Sequence, residues 1–448
     1  MKTIREPFER VIAANRRKTL DPAQTYRLSL YLHFCVHAGV RLVLNTFTGE
    51  IVRLSPQEYD ALMYIQQHGA ELGFLEQSGL SELAKRRFIV ESDYDEPGEY
   101  LKTLELIRLM SRRKPGLKTY TILPTTGCNA RCVYCYEQNY AVRTMTGETA
   151  RQLVDFICET RHDDQITLSW FGGEPLIGHK TISYICRRLT ERGVPFRSGM
   201  VTNASLFTKE LVHEAKKCWN LEKVQVSLDG DRHDYMERKQ YMDPVRHNYD
   251  VVMGAIRDLS DEGIRATLRV NYDKENISRL RPFLDEIKAE FGRDHHVTLY
   301  LSALYQENNK PYYVELEREM FALKRYMDES GINQYAGSEI WNASFRVNYC
   351  MADGLDKSIV IDPDGRFFDC EHMPEGRSWG NIFDGITDRK LFDKLSAPAV
   401  PAEKCRECPY LPQCTPFYRK GCPGWYTYCR EYRMLYNHYE LECLAKRE

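Results

Sequence analysis

The chain has 448 residues, 43% hydrophobic and 28% charged, with a formal net charge of −2. This length predicts two to four domains, and the near-neutral balance offers no basic footprint for nucleic acid. No run of about eighteen apolar residues occurs, and the start, MKTIREPFERVIAANRRKTL, lacks the apolar core of a signal peptide, so no membrane contact and a cytoplasmic location are expected.

Residues 1–115 carry no clustered cysteine. Two β-rich runs in RLVLNTFTGEIVRL (41–54) flank a turn at Thr48-Gly49 and predict a hairpin. Ser55, with Glu58 three residues on, forms a capping-box signal for the helix that follows. LSELAKRRFIV continues a helix–helix–strand pattern. Together these fit a winged-helix-like module; a generic α+β extension is the alternative.

From 116 to 304 strands alternate with amphipathic helices. The strand candidates are YTILPTT, ITLSWFGG, FRSGMVTN, KVQVSLDG, RATLRVNY and VTLYLSAL. Six β/α units predict a parallel sheet closed or nearly closed into a barrel, with chemistry at the C-terminal strand ends. Cys128, Gly172, Asn203 and Asp229 follow the first four strands and are expected at one rim. Residues 305–345 read as a helical bridge. Residues 346–448 are cysteine-dense, with short strands and a final charged, aromatic helix.

Fifteen cysteines without an export signal, and odd in number, argue against a disulfide framework. Cys35, Cys158, Cys186 and Cys218 stand alone and read as structural thiols. The clustered ones read as metal ligands. TTGCNARCVYCYEQ holds Cys128, Cys132 and Cys135 in C-x3-C-x2-C spacing. Three thiolates suit a [4Fe–4S] cluster whose fourth iron is open to a small molecule. Zinc would need a fourth ligand, and only Cys158 and His162 lie near downstream.

This segment resembles the radical S-adenosylmethionine (SAM) superfamily, with Tyr134 in the aromatic place before the third cysteine. Gly172, Gly173, Glu174 and Pro175 resemble the family segment that binds the methionine amino group of SAM. Asn203 in VTNAS resembles a ribose and carboxylate contact. Ser227 in SLDG, with Arg238, would meet the SAM carboxylate, and Arg269 and Asn271 in LRVNYD would lie near the cofactor. The resemblance implies reductive cleavage of SAM to methionine and a 5′-deoxyadenosyl radical. It also implies an external one-electron donor such as flavodoxin or ferredoxin.

The later cysteines resemble the SPASM extension of peptide-modifying radical SAM enzymes, which holds two auxiliary [4Fe–4S] clusters. Carried over, Cys405, Cys408, Cys414 and Cys429 bind the outer cluster, and Cys350, Cys370 and Cys422 the inner one. Seven residues rather than three separate Cys414 from Cys422, read as a four-residue insertion. The inner cluster is then one protein ligand short, leaving an iron to a peptide thiolate or to a cysteine not placed. A zinc knuckle around 405–414 is the alternative. Glu371 follows Cys370 where relatives carry a base. Cys443 reads as a bystander.

The resemblance therefore implies three clusters, SAM and a peptide maturase. The N-terminal module would be a PqqD-like element capturing the leader of a precursor peptide as an added strand. An anaerobic sulfatase maturase, making formylglycine from Cys or Ser, is the alternative enzyme. A non-catalytic electron-transfer protein would not need the SAM segments. Because every candidate ligand follows residue 120, removing residues 1–110 is expected to spare the clusters.

Overall fold

The computed structural model describes residues 1–5, 19–111, 116–162, 165–304, 313–334, 357–372, 377–397, 401, 403–413 and 429–447. The chain forms two compact units that do not follow chain order. One comprises Met1–Arg113, Glu339–Tyr349 and Ala399–Glu448; the other comprises Lys114–Ser338 and Cys350–Pro398. The cysteine-dense stretch after 346 is thus divided between them.

The first unit contains β1 (Lys2–Arg5), β2 (Thr25–Leu28), β3 (Leu32–His37), β4 (Val40–Asn45), β5 (Ile51–Leu54), β6 (Ala70–Glu71) and β7 (Ile89–Glu91). They make a four-stranded sheet, β1-β5-β4-β3, and a three-stranded one, β6-β2-β7. The predicted hairpin is β4–β5, paired antiparallel. Helix α1 (Pro56–His68) starts with the predicted capping box, Ser55 and Glu58 each bonding the other's backbone. Helix α2 (Glu96–Ser111) closes the N-terminal part.

The unit's core draws on both chain ends. Leu411 packs with Tyr31, Phe47, Tyr100 and Leu104, and the Cys405 and Cys408 side chains lie against that group. Leu441 and Ala445, near the chain's end, pack with Cys35, Leu42, Leu44 and Ile51. The expectation that residues 1–110 could be removed with the clusters spared does not hold for the Cys405–Cys408 turn. That deletion would expose Leu411 and Leu441, buried to 3% and 0% exposure, and apolar surface returned to water costs free energy in proportion to its area.

The second unit carries β8 (Thr119–Ile122), β9 (Ile166–Trp170), β10 (Phe196–Thr202), β11 (Leu221–Ser227), β12 (Arg265–Tyr272) and β13 (Val297–Ala303). All six predicted strands are present, parallel and in sequential order. The amphipathic helices between them are α3 (Gly147–Thr160), α4 (His179–Glu191), α5 (Lys209–Cys218), α6 (Arg232–Lys239), α7 (Tyr249–Asp261) and α8 (Leu280–Phe291). Helix α9 (Tyr313–Ser330) follows, within the expected bridge, whose remaining residues 305–312 and 335–345 lie outside the described ones.

The barrel does not close on itself. Strand β14 (Ser358–Ile361) pairs parallel with β8 and takes the edge that closure would need. Beyond it β15 (Arg366–Phe368), β16 (Gly380–Asn381) and β17 (Gly385–Ile386) run antiparallel. Helix α10 (Arg389–Ser396) follows in this unit, and α11 (Cys429–Ala445) ends the first. Among the described residues no helix is long and apolar enough to cross a membrane.

Candidate active site

The loop after β8 is closed at its base by short-range polar bonds. Thr125 pairs with Thr144 in an antiparallel bridge, Thr125 Oγ1 donates to Arg143 O at 2.8 Å, and Met145 N donates to Pro124 O at 2.9 Å. Its far side is fastened to the end of α6. Arg131 N donates to Lys239 O and Gln240 O, at 3.1 and 3.0 Å, and Val133 N donates to Arg238 O at 3.0 Å. Carbonyls of a helix's last turn have no partner inside the helix, so the loop supplies them. A third tie runs to the end of β10: Asn129 Oδ1 accepts from Asn203 Nδ2 at 2.8 Å, and Asn129 Nδ2 donates to Ser205 Oγ at 2.9 Å.

Cys128, Cys132 and Cys135 ride on this loop, unpaired and half-buried. Burial pushes all three thiols up, Cys128 to about 12, and negative charge on Cys132 adds to the effect at both of the others. Three soft sulfur donors on one short loop fit an iron–sulfur cluster. Loading it must displace their protons.

The Gly-Gly pair after β9 presses on the residues leading to Cys128. Gly172 has φ +117°, and a Cβ there would stand 2.3 Å from Thr125 O; one on Gly173 would stand 2.4 Å from Gly127 O. Only glycine fits such an approach. Glu174 is fully buried, and that burial raises its pKa. Its carboxylate accepts from Thr202 Oγ1 at 2.6 Å, Leu176 N at 3.0 Å and Asn203 N at 2.8 Å. The carboxylate therefore ties β9 to β10. Pro175 opens a 3-10 turn, Pro175–Gly178, buried except at Ile177.

At the other strand ends, Ser227 closes β11 half-buried, in register with Arg269. Arg269 Nε donates to Ser302 Oγ at 3.1 Å. Arg238 is bound to Asp273 through two hydrogen bonds, 2.9 and 2.8 Å, with both side chains 8% exposed. Asn271 Nδ2 donates to Asp229 Oδ1 at 2.7 Å, while its own Oδ1 is buried with no hydrogen-bond partner among the described residues. A buried acceptor left open is costly unless a ligand donates to it, which fits a cofactor hydroxyl or amine at this rim. Tyr134 turns its hydroxyl inward to Asp229 and receives a bond from Lys239 Nζ at 2.9 Å.

A second cysteine segment reaches the same loop. Cys370, Glu371 and His372 follow β15 and are half-buried, and Cys370 Sγ donates to Glu371 Oε2 at 3.5 Å. The His372 ring stacks on Tyr136 with centroids 4.0 Å apart, and its carbonyl accepts from Tyr140 OH. Burial and the charge of Glu371 push Glu137 up to about 7. In the other unit, Cys405 and Cys408 form a turn closed by Cys408 N to Cys405 O at 3.0 Å. Cys350, Cys414 and Cys422 lie outside the described residues, as does the side chain of Cys429.

Sequence reasoning gave no role to Lys239, Asp273 or Glu137. Lys239 and Asp273 read as ordinary helix and loop charges, and only their burial at 2% and 6% exposure separates them from such charges.

A parallel β/α sheet with a three-cysteine loop after its first strand and a Gly-Gly segment pressed against it defines a radical SAM fold. Residues 122–287 match the model of the Radical SAM superfamily, and the chain carries a radical SAM domain. An uncharacterized protein of Methanocaldococcus jannaschii is 30% identical over 117 residues, 26% of this chain and 40% of its own length. Fe-coproporphyrin III synthase of Methanosarcina barkeri is 25% identical over 169 residues, 37% of this chain and 40% of its own. The chain thus spans 40% of the length of these two relatives. Among solved structures, anSMEcpe with bound AdoMet superposes with a TM-score of 0.57 at 14% identity, over 74% of this chain and 98% of that one. SuiB of Streptococcus suis, bound to its precursor peptide SuiA, gives 0.52 at 17% identity, over 87% and 94%. At these identities the likeness is one of fold.

Proposed function

We propose that this chain is a radical SAM peptide maturase that installs an intramolecular crosslink, thioether or carbon–carbon, in a ribosomally made precursor peptide. The observation that carries the reading is the meeting of the Cys128–Cys135 loop with Cys370, Glu371 and His372 inside one unit. A SAM-cleaving site needs only the loop. A cysteine, a carboxylate and an imidazole beside it make a place where a peptide group could be held and deprotonated. In this reading Cys128, Cys132 and Cys135 hold the cluster that cleaves SAM. Cys350, Cys370 and Cys422 hold an inner auxiliary cluster, and Cys405, Cys408, Cys414 and Cys429 an outer one. Glu371 is the base, and the electron comes from a flavodoxin- or ferredoxin-type carrier.

The N-terminal part of the chain, residues 1–115, serves as the PqqD-like leader-recognition element. Strand β3 is an edge strand among the described ones. The β3–β4 hairpin turns through Ala38 and Gly39, both at positive φ, a two-residue turn of the primed kind. His37 and Val40 are then a hydrogen-bonded pair, so Phe34 and Val36 direct their backbone groups away from β4. Val36 is 49% exposed and Phe34 half-buried against Tyr59. An extended leader adding to this edge would gain main-chain bonds and apolar contacts together.

The second reading, an anaerobic sulfatase maturase, is supported by the likeness in fold to anSMEcpe, while Glu371 in place of the Asp of such enzymes counts against it; it predicts a different product. The reconstituted enzyme, reduced anaerobically with SAM, is given a short Cys- or aromatic-rich precursor and, separately, a sulfatase-derived Cys or Ser peptide. Loss of two hydrogens from the precursor, with matching 5′-deoxyadenosine, supports the maturase. Formylglycine in the sulfatase peptide alone overturns it.

A further inference from the structure

Lys239 ends α6 and is 2% exposed; Asp229 follows β11 and is fully buried. Lys239 Nζ stands 3.2 Å from Asp229 Oδ2 and 2.9 Å from the hydroxyl of Tyr134. It also lies over the Tyr134 and Tyr235 rings, 5.5 and 5.7 Å from their centroids. Asp229 is held in turn by Asn271 at 2.7 Å, and its carbonyl accepts from Asn276 at 2.9 Å. Tyr134 sits between Cys132 and Cys135, so the lysine meets the three-cysteine loop from its buried side.

Lys239 Nζ reaches the loop itself, at the hydroxyl of Tyr134 between Cys132 and Cys135. Holding the loop in place does not require the Lys239–Asp229 pair. The backbone bonds from Arg131 and Val133 to the end of α6, and Asn129 to Asn203, already do that. A buried lysine and aspartate carry a desolvation cost that an apolar pair of similar size would avoid. The arrangement therefore calls for an electrostatic reason.

We propose that Lys239 is a positioning residue whose charge, fixed by Asp229 and Tyr134, favours the one-electron-reduced state of the cluster held by Cys128, Cys132 and Cys135. This rests on reading those cysteines as the cluster ligands. Reduction adds one electron, from an external one-electron carrier, to a site already bearing three thiolates, with no bond made or broken. A cation fixed where water is scarce stabilises that added negative charge more strongly than one in solvent.

The test compares reconstituted full-length wild type, Lys239→Met, Lys239→Arg and the double variant Asp229→Asn/Lys239→Met. Iron content is measured first, then the cluster midpoint potential by redox titration followed by electron paramagnetic resonance, with neither SAM nor peptide present. In Lys239→Met the reduced-to-oxidised ratio at fixed potential should fall at least tenfold, about 59 mV for a one-electron couple. Lys239→Arg should stay near wild type. If the unpaired Asp229 prevents Lys239→Met from folding, the double variant decides, and its midpoint should also fall. An iron-replete Lys239→Met or double variant with a wild-type midpoint overturns the proposal. So does Lys239→Arg shifting as far as Lys239→Met. A wild type that binds no iron overturns the ligand reading itself, so the two failures are distinguishable.

Discussion

Arg238 and Asp273 grip each other through two buried hydrogen bonds, 2.9 and 2.8 Å, across the rim where the sequence placed Arg238 against the SAM carboxylate. Burial alone would raise the Asp273 carboxyl, but Arg238 and the amides of Glu275 and Asn276 outweigh it and hold the pKa below its ordinary value. A carboxylate lowered in the folded state contributes stability that is complete above its unfolded pKa of about 3.9 and is lost as pH falls through the folded value. Replacing Arg238 by Ala strands a buried charge and should cost about 3 kcal/mol. Denaturant unfolding at pH 7 measures the loss. Repeating it on either side of pH 4 should show wild type losing its advantage over the variant with acid.

Gly172→Ala should destroy the site. The added methyl would stand 2.3 Å from Thr125 O, with φ +117° already unfavourable for alanine. Gly193→Ala, also at positive φ (+67°) but with nothing within 4 Å, is the control and should cost only about 1 kcal/mol. Iron retained after reconstitution separates the two: near normal for Gly193→Ala, largely lost for Gly172→Ala.

Val36→Pro removes one outward N–H from the β3 edge without touching a bond to β4, and proline is tolerated on such an edge. Leader-peptide affinity should drop at least tenfold by fluorescence titration, while iron content stays at the wild-type level. Unchanged affinity would place the leader elsewhere.

The six strands were legible because each is a β-rich run between helical patterns, and the structure places all six within a few residues of those runs. The thiol loop and the Gly-Gly segment were legible because their spacing is local. What was not legible depends on distant pairing. Arg238 meets Asp273 35 residues away, and Thr46 donates to the carbonyl of Pro409 363 residues away. No periodicity encodes either contact. Glu174 read as a ligand because a motif does not reveal that its carboxylate accepts from the Thr202 hydroxyl and from the amides of Leu176 and Asn203. The short strand β14 was legible in SIVIDPDGRFFDC, but its pairing with the open edge of β8 was not.

Deleting residues 1–110 should reduce more than leader binding. Because Leu411 and the Cys405–Cys408 turn pack on Tyr31 and Phe47, and Leu441 on Leu42 and Leu44, the shortened chain should bind less iron and aggregate. Iron per chain, measured beside wild type, should fall.

The central claim, that the three-cysteine loop is where SAM is cleaved, is tested most directly by 5′-deoxyadenosine. Wild type and the Cys128→Ala/Cys132→Ala/Cys135→Ala variant are reconstituted with iron and sulfide, reduced anaerobically, given SAM without peptide, and assayed by chromatography. The account predicts steady release from wild type, and none from the triple variant. Deoxyadenosine from the triple variant at the wild-type rate would contradict it.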